Sequence, residues 1–107
     1  MKRRIDWINV ESLEWRKIGS GVYVKILNED SENNTYTRLL KFEPGAKIAE
    51  ASIHEFWEEV FVINGSLIDE SSGIEIKEGY YACRPPGTKH GPFKSVTGCL
   101  VIEFTFR

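Results

Sequence analysis

The stretch Gly79-Tyr80-Tyr81-Ala82-Cys83-Arg84-Pro85-Pro86-Gly87-Thr88-Lys89-His90 decides the fold. Strand-forming residues carry the chain as far as Arg84. Pro85 and Gly87 then turn it sharply, because Pro fixes φ and lacks an N–H donor while Gly accepts conformations closed to other residues. His90 opens the next strand and is expected to point inward. Only two histidines occur, His54 and His90, and each sits among strand and turn residues rather than in a charged surface patch.

Working outward, the rest of the chain also reads as short strands. Val22 to Leu27 and Thr35 to Phe42 are rich in β-branched and aromatic residues, with a polar turn between them and Pro44-Gly45 after them. Val60 to Ile63 is a continuous apolar run closed by Asn64-Gly65, which reads as a hairpin turn. Leu67-Ile68 and Ile74 to Lys77 flank a turn with Ser71, Ser72 and Gly73, and Gly79 to Arg84 follows. Cys99 to Phe106 alternates, with Leu100, Ile102, Phe104 and Phe106 on one face. Residues 6–17 are expected to hold a turn of helix or an edge strand anchored by Trp7 and Trp15. No longer stretch shows helical periodicity. Many short strands jointed by Gly, Pro and Asn predict an all-β sandwich or barrel.

The chain has 107 residues, room for one domain and one core, with net charge −2 and interspersed acids and bases. That balance gives no electrostatic footprint for nucleic acid or an anionic membrane. The basic start, Met1-Lys2-Arg3-Arg4, is not followed by an apolar run, and no stretch is long and apolar enough for a membrane span. A cytoplasmic protein is expected. Cys83 and Cys99 form no Cys-x-x-Cys pair and are expected as small buried side chains.

The quoted stretch resembles the second motif of the cupin superfamily: Gly, five residues, Pro-x-Gly, two residues, His, three residues, Asn. Gly79, Pro85, Gly87 and His90 match, and Lys94 replaces the final Asn. The first cupin motif runs Gly, about five residues, His-x-His, three or four residues, Glu, six residues, Gly. Counting back from Gly65 gives Glu58, with Glu59 on the opposite strand face, and then His54 as the second His. Ser52 stands at the first His position, and Gly45 lies one residue further upstream than usual. The phrases EEVFVINGSLIDE (58–70), EGYYACRPPGTKHGP (78–92) and GCLVIEF (98–104) are most similar to cupin domains of the ChrR type, which occur in zinc-binding anti-sigma factors.

The resemblance implies a double-stranded β-helix, or jelly-roll, barrel over residues 1–107 with its core at about 22–106. It implies metal ligands at His54, Glu58 and His90, with Ser52 leaving one position to water or a substrate oxygen. Imidazole and carboxylate together suit Zn, Fe, Mn or Ni as the divalent ion. Two readings of function follow. One is a metal-dependent enzyme of oxygenase, isomerase or decarboxylase type acting on a small organic molecule. The other is a non-catalytic module that binds or senses a metal or small ligand, with or without metal. The helical segment with which such anti-sigma factors bind sigma is not seen here, so that role is not expected. Apolar residues on both strand parities, such as Val101 beside Leu100 and Ile102, favour a homodimer.

Other side chains carry weaker expectations. Tyr81 and Cys83 share a parity and are expected to face inward as core. Glu50, on the parity of Ser52 and His54, is expected at a solvated strand end, with a replacement acid ligand as the alternative. Glu103 is expected at an exposed edge, with orientation of a ligand His as the alternative. Arg84 is expected in a surface salt bridge, with an anionic substrate as the alternative. Phe56 and Trp57 either gate the pocket or pack at a subunit interface.

Overall fold

Residues alternating between apolar and polar build eleven strands in a computed structural model that describes residues 1–107. They are β1 (Arg16–Gly19), β2 (Val22–Asp30), β3 (Thr35–Phe42), β4 (Lys47–Ile48), β5 (Ser52–Ile53), β6 (Trp57–Asp69), β7 (Ile74–Lys77), β8 (Tyr81–Arg84), β9 (Lys89–His90), β10 (Phe93–Lys94) and β11 (Cys99–Phe106). A single 3-10 turn, Val10–Ser12, precedes them. The neighbours run β1-β2-β3-β11-β6, with β8 and β7 along the other edge of β6 and β10-β4 beside its second half. β5 and β9 form a separate ladder. All pairings are antiparallel, and together they make the nearly closed all-β barrel expected from the sequence.

β6 holds the barrel together, because its first half pairs with β11 and β8 and its second half with β10 and β7. Here the structure corrects one expectation. Asn64-Gly65 does not close a hairpin; it lies inside β6, where the pairing with β11 slips between Leu100 and Val101. Such a bulge bends a strand from one sheet into the next. Gly65 takes φ +77°, and a Cβ there would overlap the Gly98 carbonyl oxygen. The Asn-Gly pair therefore serves close backbone approach, not chain reversal.

The core is filled by Val22 and Val24 of β2, Leu40 and Phe42 of β3, Val62 of β6 and Val101 of β11. A second correction concerns Glu103 in β11. The strand's inward parity is Cys99, Val101, Glu103 and Thr105, while Leu100, Ile102, Phe104 and Phe106 face outward. Glu103 is therefore not an exposed edge residue: it is 7% exposed. Arg38 Nε lies 2.6 Å from its Oε1, and the guanidinium rests 4.3 Å from the Tyr36 ring centre. Residues 6–17 contain both expected elements, the 3-10 turn and the start of β1. Trp15 anchors them between Lys25 and Lys41, 4.7 and 4.4 Å from its ring, and Lys25 Nζ donates to the Val10 carbonyl at 2.9 Å. Trp7 anchors nothing, being 98% exposed.

Candidate metal centre

Two turns bring the candidate residues together. Gly79 takes φ +83° and donates its N–H to the Val62 carbonyl, which starts β8 alongside β6. After β8, Gly87 also takes φ +83° and donates to the His54 carbonyl at 2.8 Å. That bond ties the Pro-x-Gly turn directly to the segment carrying the other histidine. β9 then runs antiparallel to β5, with His90 opposite Ser52. Glu58, on the inward parity of β6, comes up from the barrel wall.

The three side chains named from the sequence meet here. One ligand atom from each of His54, Glu58 and His90 lies within 4.8 Å of the others. His54 Nε2 is 3.7 Å from Glu58 Oε2, and His90 Nε2 is 4.0 Å from Glu58 Oε1. His54 is half-buried and stacks on the buried Phe56, with ring centres 4.7 Å apart. Phe56 also meets Tyr36 edge-on at 5.9 Å. It neither gates an opening nor faces outward; it braces His54 from behind. Trp57 points the other way and stacks on Phe106 on the outer face. Ser52 and Glu50 are exposed and lie outside the cluster.

Three further expectations are corrected. Tyr81 and Cys83 face outward, Tyr81 being 60% exposed with its hydroxyl donating to Glu59. Cys83 is an exposed free thiol, whereas Cys99 is buried and its thiol is pushed up to about 11 by burial. The inward parity of β8 belongs to Ala82 and Arg84. Arg84 is not in a surface salt bridge. Its Nη1 donates to His90 Nδ1 at 2.9 Å and stands 3.6 Å from Glu58 Oε1. Sequence reasoning undervalued Arg84 and Glu103, because a charged residue in a strand is usually solvated. Their parity with Ala82 and Val101 was the available signal.

The electrostatics follow from this setting. Burial, and then the neighbouring Glu103 charge, push the Glu58 carboxyl up to about 7, against the opposing pull of Arg84 and Arg38. Burial, and then Arg84 and His54, push His90 down to about 4. Burial also lowers His54. All three effects favour uncharged side chains in the metal-free site. Glu58 is buried; Arg84, His54 and His90 stand 3.6, 3.7 and 4.0 Å from its oxygens, and its close side-chain partner is another acid, Glu103. A buried carboxyl paired with another acid rather than with a base, facing two neutral imidazoles, is a donor set that fits a borderline divalent cation.

The raised Glu58 value carries a stability consequence. A carboxyl with a folded-state value above its ordinary 4.5 costs nothing below that pH. The cost grows as pH rises from 4.5 towards about 7 and is fully present above it. In chelator, Glu58→Gln is therefore expected to exceed wild type in stability at pH 8 by about 1–3 kcal/mol and to match it near pH 4. Urea unfolding at the two pH values measures this. A variant less stable at pH 8 would contradict the strained-carboxylate account.

Beside the cluster lies a chamber of about 310 Å³ inside the barrel, with 12 hydrophobic residues among the 17 that line it. Glu58 and Arg84 line it, but neither histidine does. Its outer end is formed by Ser72, Ile74, Tyr80 and Tyr81.

Comparison with known proteins agrees with this architecture. The profile of the ChrR Cupin-like domain family matches residues 4–106. No curated protein matches the chain in sequence. Among solved structures, an RmlC-like cupin from Shewanella frigidimarina superposes with TM-score 0.76 at 22% identity, over 98% of this chain and 94% of its own. An acetylacetone dioxygenase from Acinetobacter johnsonii gives 0.78 at 16% identity, over 97% and 74%. A predicted oxalate decarboxylase from Thermotoga maritima gives 0.79 at 15% identity, over 94% and 98%. At these identities the likeness shows the fold. No helix is long and apolar enough to cross a membrane.

Proposed function

The chain belongs to the ChrR cupin-like family, and from that premise we propose that it holds a divalent metal with His54, Glu58 and His90 and acts on a small organic molecule. The observation that carries this reading is the convergence of two neutral imidazoles on one buried acid, Glu58. Zn, Fe, Mn and Ni all accept such ligands. When bound, the ion would supply Lewis acidity or oxygen activation. The protein's own residues do the rest. Phe56 fixes the His54 ring, the Gly87 N–H fixes the His54 backbone, and the chamber offers mostly apolar walls to whatever lies beside Glu58.

The chamber volume sits at the small end of ligand pockets. That supports a small substrate, and the dioxygenase and predicted decarboxylase sharing the fold support oxygenase or decarboxylase chemistry. Fold alone does not choose a reaction. Oxygen uptake and carbon dioxide release by Fe(II)- and Mn(II)-loaded protein, with His90→Ala as blank, test it. A loaded protein that binds small molecules but turns none over is a binding module instead.

We also propose a homodimer. Trp57, Phe61, Tyr81, Phe104 and Phe106 lie exposed on one outward face, built from neighbouring strands β8, β6 and β11. An apolar sheet face of that kind is usually covered. Sedimentation is expected to give a dimer for wild type and a monomer for Phe61→Lys. A wild-type monomer at high concentration would rule the dimer out.

A further inference from the structure

We infer that Arg84 couples metal binding to the capture of a small carboxylate, capping His90 when both are absent and pairing with the ligand's carboxylate when a metal takes His90. The inference rests on the metal reading above and adds the class of ligand.

Three observations carry it. First, Arg84 blocks His90. A guanidinium has only donors, so the 2.9 Å bond from Nη1 makes His90 Nδ1 the acceptor and leaves the ring proton on Nε2. In that tautomer, Nδ1 is covered and Nε2 offers no lone pair. A metal on either nitrogen therefore requires Arg84 to leave Nδ1. Like charge adds to this, since the same guanidinium stands 3.6 Å from the Glu58 carboxylate that a cation would share.

Second, Arg84 has a place to go. Its side chain is 22% exposed and lines the chamber. The chamber's other arginine-paired acid, Glu103, is already held by Arg38 at 2.6 Å. Asp69 accepts from Ser71 at Oδ1 alone, from the backbone N–H at 3.0 Å and the hydroxyl at 2.7 Å. Apart from Asp69, a displaced Arg84 would thus meet mostly apolar walls, where an incompletely paired charge is costly. A carboxylate accepting two parallel N–H bonds removes that cost.

Third, the chamber limits the charge and shape of the occupant. Glu58 and Asp69 also line it, which disfavours a dianion such as a phosphate monoester. Its apolar walls favour an alkyl or aryl body. The ligand is therefore a small monocarboxylate with an apolar remainder.

Because metal and carboxylate both draw Arg84 off His90, each must strengthen the other equally. The test is titration with Co(II), read by calorimetry and visible absorbance, on wild type, Arg84→Met and Arg84→Gln. Each is measured alone, with hexanoate and with hexanamide. Wild type is expected to bind Co(II) about tenfold more tightly with saturating hexanoate and unchanged with hexanamide. Arg84→Met, or Arg84→Gln should the first not fold, is expected to bind Co(II) tightly without hexanoate and to respond to it less than about twofold. Equal Co(II) affinity in wild type and variant, or no hexanoate effect on wild type, overturns the coupling while the metal reading stands. Failure of wild type and folded variants alike to bind Co(II) overturns both.

Discussion

Protein purified without a histidine tag is expected to carry about one divalent ion per chain, and His90→Ala to bind metal at least about 100-fold more weakly. The size of the loss follows from the ligand count. With Ser52 outside the cluster, only His54, Glu58 and His90 converge. Removing a partner that merely supports a ligand already costs 10- to 100-fold, so removing one of three ligands costs more. A second effect acts in the same direction. Arg84 loses its acceptor on His90 and is left 3.6 Å from Glu58, where it can pair with the remaining carboxylate. Elemental analysis beside a folding control decides the matter. Equally negligible metal in both proteins would end the metal reading and leave a ligand-binding barrel.

Gly65→Ala is expected to cost about 3–5 kcal/mol of folding stability, the largest effect of any single methyl group in the chain. Two penalties add. The backbone at Gly65 has φ +77°, which a side chain disfavours, and the new Cβ would meet the Gly98 carbonyl, a backbone group that cannot rotate away. Gly73→Ala separates the two, since φ there is +75° but nothing stands within 4 Å of the added carbon. Only the conformational part, about 1–2 kcal/mol, is expected at Gly73. Urea unfolding of both variants measures the difference. Similar losses at the two sites would show that the β6–β11 bulge tolerates widening and that close approach is not what Gly65 provides.

The route from residues to site was legible wherever a feature depends on local backbone chemistry. Gly79, Pro85 and Gly87 can do little other than turn, and the turns they make set His90 opposite Ser52. The count from Glu58 to Gly65 was equally readable, although its meaning was not. Asn64-Gly65 has the composition of a hairpin, and only its pairing partners show it to be a bulge in a longer strand.

The inner and outer faces were harder to read. In β11 Glu103 was read as an exposed edge residue, yet it lies on the buried parity with Val101 and Thr105. In β8 the aromatic Tyr81 likewise looked more buried than Arg84. Both misreadings share a cause. The barrel interior near the site holds a polar network of Glu58, Glu103, Arg38 and Arg84, so hydrophobicity inverts across the wall there.

By itself, then, the sequence determined the all-β architecture and the turn at Pro85 to Gly87, because these follow from dihedral preference and period-two alternation, while His54, Glu58 and His90 were named by resemblance to the two cupin motifs. Only the tertiary structure decided that Arg84 caps His90, that Glu103 is buried against Arg38, and that Phe56 braces His54. Those contacts join residues from different strands, and nothing along a single strand records which charge will face it across the barrel.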